Sequence, residues 1–92
     1  MSTYLIIIEW DKNQIPEIAA FENLLSVNFQ WVKLTEFSYL IKGINTTVEI
    51  RNFITTKLPG LSRVFVGEMK YAAAWRNMLT DSDKIKQLFE DE

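Results

Sequence analysis

Two helix-period stretches interleaved with four short β-branched or aromatic runs, in the order β-α-β-β-α-β, predict an α+β domain. Strand-pairing rules give that order a ferredoxin-like sandwich: one four-stranded antiparallel sheet with both helices on one face. A helical C-terminal extension follows. Residues 1–70 form the ferredoxin-like domain, and residues 71–92 the extension packing on it. Three observations carry this reading: the length and residue types of the strand runs, the caps and breakers around the helices, and the absence of any repeat or Gly/Ser linker.

The first strand is Tyr4-Leu5-Ile6-Ile7-Ile8-Glu9-Trp10, apolar on both faces. Asp11-Lys12-Asn13-Gln14 breaks it. Asn13 is a suitable N-cap and Pro16 is tolerated in a first helical turn. Ile15, Ile18, Ala19, Phe21, Leu24 and Leu25 follow helical spacing, so the first helix is expected over residues 14–27. Two strand runs, Phe29 to Leu34 and Phe37 to Lys42, flank a Thr35-Glu36 turn, and Gly43 closes the second. Thr46 and Glu49 have capping-box spacing. Ile50, Phe53, Ile54 and Leu58 then line a helix that Pro59-Gly60 ends. Arg63 to Glu68 is the fourth strand. Tyr71 to Leu79 reads as a short helix, and Asp81 or Ser82 caps a last one carrying Ile85, Leu88 and Phe89.

Apolar residues make up 48% of the 92 positions and aromatics 13%, enough for one packed core and too few residues for two. There is no cysteine and no histidine. Disulfide frameworks, thiolate zinc sites, imidazole ligands and His-based triads are therefore excluded. The aliphatic run Leu5 to Ile8 is far below the ~18 residues of a membrane span. The start, Met1-Ser2-Thr3-Tyr4, lacks the basic region of a secretory signal. A cytoplasmic protein that engages no membrane is the expectation.

Net charge is −2, but unevenly spread. Residues 1–50 carry −3, residues 51–76 carry +4 and residues 77–92 carry −3. The basic middle consists of Arg51, Lys57, Arg63, Lys70 and Arg76 against Glu68. If these side chains cluster they form a phosphate-binding surface for DNA or RNA; spread over several faces they are ordinary solvated charge. Trp10, Trp31, Tyr39, Tyr71 and Trp75 offer π-faces for bases, although cores and interfaces use such residues more often.

Without His or Cys, chemistry has to be centred on carboxylates. Glu9 ends the first strand and Asp11 lies two residues on. Hard oxygen ligands of this kind, doubled by a two-fold axis, suit Mg²⁺ or Mn²⁺ and a water poised against a phosphodiester. Equally, Glu9 reads as a rim charge and Asp11 as a turn residue beside a helix start.

The strings Thr3-Tyr4-Leu5-Ile6, Trp31-Val32-Lys33-Leu34 and Tyr39-Leu40-Ile41-Lys42 together resemble the small CRISPR-associated protein two family, in particular its divergent SinR-like branch. Glu49-Ile50-Arg51 after the threonine cap, Arg63-Val64-Phe65-Val66-Gly67-Glu68 and Trp75 continue the likeness, over about residues 3–76. The resemblance implies a ferredoxin-like homodimer that serves antiviral defence by bridging integrase subunits during spacer acquisition, or acts as a weak metal-dependent nuclease. The family's key carboxylate, an Asp at the end of the first strand facing its copy across the dimer cleft, falls on Glu9, with Asp11 beyond. On this reading Glu9 and Asp11 are the catalytic and Mg²⁺-binding candidates. Glu is one methylene longer than Asp, so scaffolding is expected over cleavage. The alternative is a non-catalytic interaction module that dimerises, or binds a partner, through its apolar sheet face.

Overall fold

β1 (Ser2–Trp10) sits inside the sheet because it is apolar in both directions along most of its length. β3 (Ser38–Gly43) and β4 (Leu61–Met69) flank it, both antiparallel, and β2 (Gln30–Thr35) pairs antiparallel with β3. The order is β2-β3-β1-β4, with α1 (Ile18–Asn28) and α2 (Thr47–Lys57) as the two crossovers and α3 (Ser82–Glu90) at the end. This is the expected ferredoxin-like α+β arrangement. The computed structural model describes residues 1–70 and 73–90.

Period-two alternation divides the sheet into two surfaces. Tyr4, Ile6 and Ile8 of β1 and Tyr39 and Ile41 of β3 turn to the helix side. There they enclose Phe21 and Leu25 of α1, and Ile50 and Ile54 of α2, with Leu58 just beyond it. Phe21 packs against Tyr39 at 5.0 Å and meets Trp10 edge-on at 6.5 Å. On the opposite surface Val32 and Leu40 form a second core with Ile85, Leu88 and Phe89 of α3, supported by Leu5, Leu34, Trp75 and Met78. The C-terminal extension thus covers the β2–β3 half of the second surface.

Several boundaries differ from the expectation. α1 begins at Ile18, not at residue 14. Pro16 disfavours helical backbone at Ile15, leaving Ile15 fully in solvent. Asn13 is not its cap: the Asn13 backbone N–H donates to Asp11 Oδ1 at 3.0 Å in an Asx turn. Glu17 occupies the cap position with no side-chain bond. β4 starts at Leu61 because Trp10 pairs with Leu61 across a bulge at Glu9/Trp10. The capping box of α2 forms as the spacing predicts, Glu49 N–H to Thr46 Oγ1 at 3.1 Å and Thr46 N–H to Glu49 Oε1 at 2.8 Å.

Of the short helix expected over Tyr71 to Leu79, residues 71–72 lie outside the described residues, and residues 73–79 are not helical. Asn77 has a positive φ of 56°, and the segment's polar groups go to β2 instead of to itself. The Leu79 N–H donates to Leu34 O (3.0 Å), the Thr80 hydroxyl to Lys33 O (2.6 Å), and Lys33 N–H to Thr80 Oγ1 (3.1 Å). Trp75 lies parallel to Phe89, 12° between planes, and donates to Ser82 Oγ. Asp81 supplies the capping carbonyl of α3, accepting from Lys84 and Ile85.

α3 is anchored mainly by side chains it buries, and Ile85 is 1% exposed. Ile85→Ala is expected to cost about 2–4 kcal/mol, the usual range for emptying a buried aliphatic site. Urea denaturation checks this, with an unchanged slope showing that the sheet domain itself still unfolds as one unit.

Candidate functional site

Covering half of a sheet face leaves the other half bare. On the α3 side of the sheet, β1 presents Leu5, Ile7 and Glu9 opposite Gly67, Phe65 and Arg63 of β4. Leu5 is half-buried by the extension; Ile7 and Phe65 are 43% and 57% exposed. Phe37, from the β2–β3 turn, is exposed beside them, its carbonyl accepting the Ile8 N–H at 2.8 Å. The Phe65 ring lies over Gly67, where a Cβ would come within 2.8 Å of it. A groove of about 650 Å³ opens at the end of β1, with Ile7, Trp10, Pro16 and Phe37 as apolar lining and Glu9 and Asp11 as its carboxylates.

The two carboxylates therefore share one groove, but each already has a partner. Arg63 Nη1 donates to Glu9 Oε1 at 2.5 Å. The pair is solvent-exposed and contributes at most about 1 kcal/mol. Asp11 is held by the Asx turn. Among the described residues no three acidic ligands come together. Two carboxylates, one of them neutralised by a guanidinium, do not form a Mg²⁺ cage within one protomer, since Mg²⁺ needs near-octahedral oxygen ligation.

The five basic residues occupy different surfaces. Arg51 and Lys57 are exposed on α2, in the helix layer, with the Arg51 guanidinium donating to Asn52 Oδ1. Arg63 is on the opposite face of the sheet. Lys70 follows β4 and lies 3.4 Å from Glu68. Arg76 is exposed in the segment leading to α3.

A second polar constellation ties α1 to the sheet. Glu22 Oε2 accepts from Lys33 Nζ at 2.7 Å and from the Tyr39 hydroxyl at 2.8 Å. Partial burial pushes the Glu22 carboxyl up. The hydrogen bonds from Lys33 and Tyr39 and the ammonium charge outweigh that, holding it below the ordinary 4.5. Burial, then the bond to Glu22 and its negative charge, raise the Tyr39 phenol well above its ordinary 10. Nothing in the spacing of three residues on three elements signals this cluster. Its one sequence trace is a charged Lys33 alternating with apolar neighbours on β2.

Beneath the extension, the cross-strand neighbours Thr3 and Lys42 are 0% and 3% exposed. Thr3 Oγ1 and Lys42 Nζ have no hydrogen-bond partner among the described residues.

Compared with known proteins, the chain matches no family model, no curated protein and no solved structure. No helix among the described residues is long and apolar enough to cross a membrane.

Two outcomes follow from these groups. A depressed Glu22 pKa adds stability that is complete above 4.5 and is lost as pH falls through the depressed value. The wild type should therefore lose stability as pH falls below 4.5, and Glu22→Gln should flatten that limb in denaturant melts. Tyr39 acts at the other end, its contribution disappearing only as pH rises beyond 10. Millimolar Mg²⁺ is expected to leave the melting temperature unmoved. A rise in melting temperature that Glu9→Gln abolishes would instead mark Glu9 as a ligand, because a bound cation stabilises the folded state by mass action.

Proposed function

We propose that this chain is a self-associating interaction module, a domain that assembles with a second copy and performs no catalysis of its own. The observation that carries the reading is the bare half of the sheet face, where Ile7 of β1 and Phe65 of the edge strand β4 stand side by side in solvent. Large apolar side chains grouped on a sheet surface mark contact sites more often than singly exposed ones do. The charges at this surface suit a second copy, since Glu9 and Arg63 balance each other within the protomer and leave no uncompensated charge to bury. Sedimentation equilibrium at micromolar concentrations is expected to give a dimer mass that falls toward the monomer on dilution. A monomer at every concentration would remove this reading.

The second reading is the one the family resemblance implies: a nucleic-acid-associated scaffold that bridges integrase subunits. It is favoured by Arg51 and Lys57, both exposed on α2 and without an ion-pair partner among the described residues. Two phosphate contacts would release counterions with a log–log salt slope of about −1.8 per protomer. Fluorescence anisotropy of labelled duplex DNA and RNA at two salt concentrations, with Mg²⁺ present, measures that slope. Absence of binding at low salt would dismiss the scaffold reading and leave self-association standing. Metal-dependent cleavage comes behind both readings, because Mg²⁺ at Glu9 and Asp11 would have to displace Arg63.

A further inference from the structure

The two edges of the sheet are treated differently. β2, at one edge, has part of its outward backbone taken by the C-terminal extension: Lys33 N–H and O by Thr80, Leu34 O by Leu79. β4, at the other edge, has no such cover. Among the described residues nothing beyond β1 hydrogen-bonds to its backbone from Ser62 to Met69. Of the usual protections of an exposed edge, the middle of β4 from Val64 to Gly67 carries none, its charges Arg63 and Glu68 lying to either side. It contains no proline, and its one bulge lies at the far end, against Glu9/Trp10. A nine-residue edge strand with free N–H and C=O groups is a template for another strand.

The sequence of β4 indicates which strand. Around Phe65 it reads nearly alike in both directions: Val64 and Val66 next to the centre, polar Ser62 and Glu68 farther out, apolar Leu61 and Met69 at the ends. Arg63 and Gly67 break the symmetry usefully, because antiparallel pairing about Phe65 sets the long side chain opposite the missing one. Charge agrees with this register. Arg63 is matched by Glu9 and Glu68 lies beside Lys70, so no like charges are brought face to face.

We infer that two copies of this chain join through antiparallel β4–β4 pairing centred on Phe65, making one continuous eight-stranded sheet. The inference rests on the self-association proposed above and places the contact at the β4 edge of the bare half, where each Phe65 meets its copy and Ile7 stays on the open face one strand in from the seam. The pairing brings the two Phe65 rings together on the α3 side and extends the apolar strip Ile7–Phe65 across the two-fold axis. It also separates the two Glu9 residues. Three strand spacings across the sheet and four residues along it put them about 19 Å apart, too far to share a cation.

The absence of native cysteine makes the register directly readable. Phe65→Cys puts a lone thiol on the axis, where directly opposed residues are about 4.5–5.5 Å apart at Cα, within disulfide reach. Ile7→Cys is the control: on the axis line but on β1, its copies are about 14 Å apart and cannot bridge. Rapid disulfide dimer formation by Phe65→Cys under mild oxidation, with Ile7→Cys remaining monomeric on denaturing gels, is the expected result. Should removal of the Phe65 ring weaken pairing, a mixture of Val64→Cys and Val66→Cys chains, which the same register sets opposite each other, reads it with Phe65 intact and without the Cβ that Gly67 cannot accept beneath the Phe65 ring. That mixture is expected to give a heterodisulfide, with little homodisulfide from either variant alone. A dimeric wild type whose Ile7→Cys variant bridges while both β4 tests fail would overturn the edge pairing but leave self-association intact. A wild type monomeric by sedimentation, with no bridging by any variant, would overturn both.

Discussion

The rest of this structure depends on β1 being apolar on both faces. Tyr4, Ile6 and Ile8 require cover on one side of the sheet, and Leu5 and Ile7 on the other. A β-α-β-β-α-β chain has only two crossover helices, and right-handed connections place both on the same side. Residues 73–90 respond to that shortage. They bring Ile85, Leu88 and Phe89 onto Val32 and Leu40, and they reach Leu5. A single nine-residue helix is too narrow to cover four strands, so the β1–β4 half stays open.

The same segment also closes a sheet edge. Thr80 and Leu79 bond outward groups of β2 at Lys33 and Leu34. The Leu79 N–H goes to the strand, and Asn77 has a positive φ, so neither joins an intrahelical ladder. The cost of the cover is visible at Thr3 and Lys42, buried polar side chains without partners among the described residues. α3 is attached by apolar contact, its Ile85, Leu88 and Phe89 packed on Val32 and Leu40 with Leu5 of β1 at the margin.

Element order, the α2 capping box and the two-faced first strand were legible in the sequence because each is a local or short-period signal: Thr46 with Glu49, or the alternation of Tyr4, Ile6 and Ile8. The start of α1 was misjudged where helical periodicity and proline chemistry conflict. Ile15 fits the spacing, yet the residue before Pro16 leaves the helical region. Site features were harder to read, because they depend on register. Glu9 meets Arg63 across 54 positions, and Glu22, Lys33 and Tyr39 converge from three elements. Periodicity could place Phe65 on a strand. Its exposure depends on how far α3 extends, which no local pattern encodes.

Register also bears on what the acidic end of β1 can do. A carboxylate on an inner strand is directed by its neighbours on either side, and Glu9 is opposed on β4 by Arg63. The Arg63 guanidinium bonds Glu9 Oε1 and neutralises the carboxylate beside Ile7 and Phe65. A charge-balanced rim beside bare apolar surface suits a contact that excludes water, whereas hydrolysis needs ligands left open to metal and solvent. Asp11, held in its turn by the Asn13 N–H, sets the path from β1 toward α1. Both carboxylates thus have a partner within the protomer, Glu9 the Arg63 guanidinium and Asp11 the Asn13 N–H.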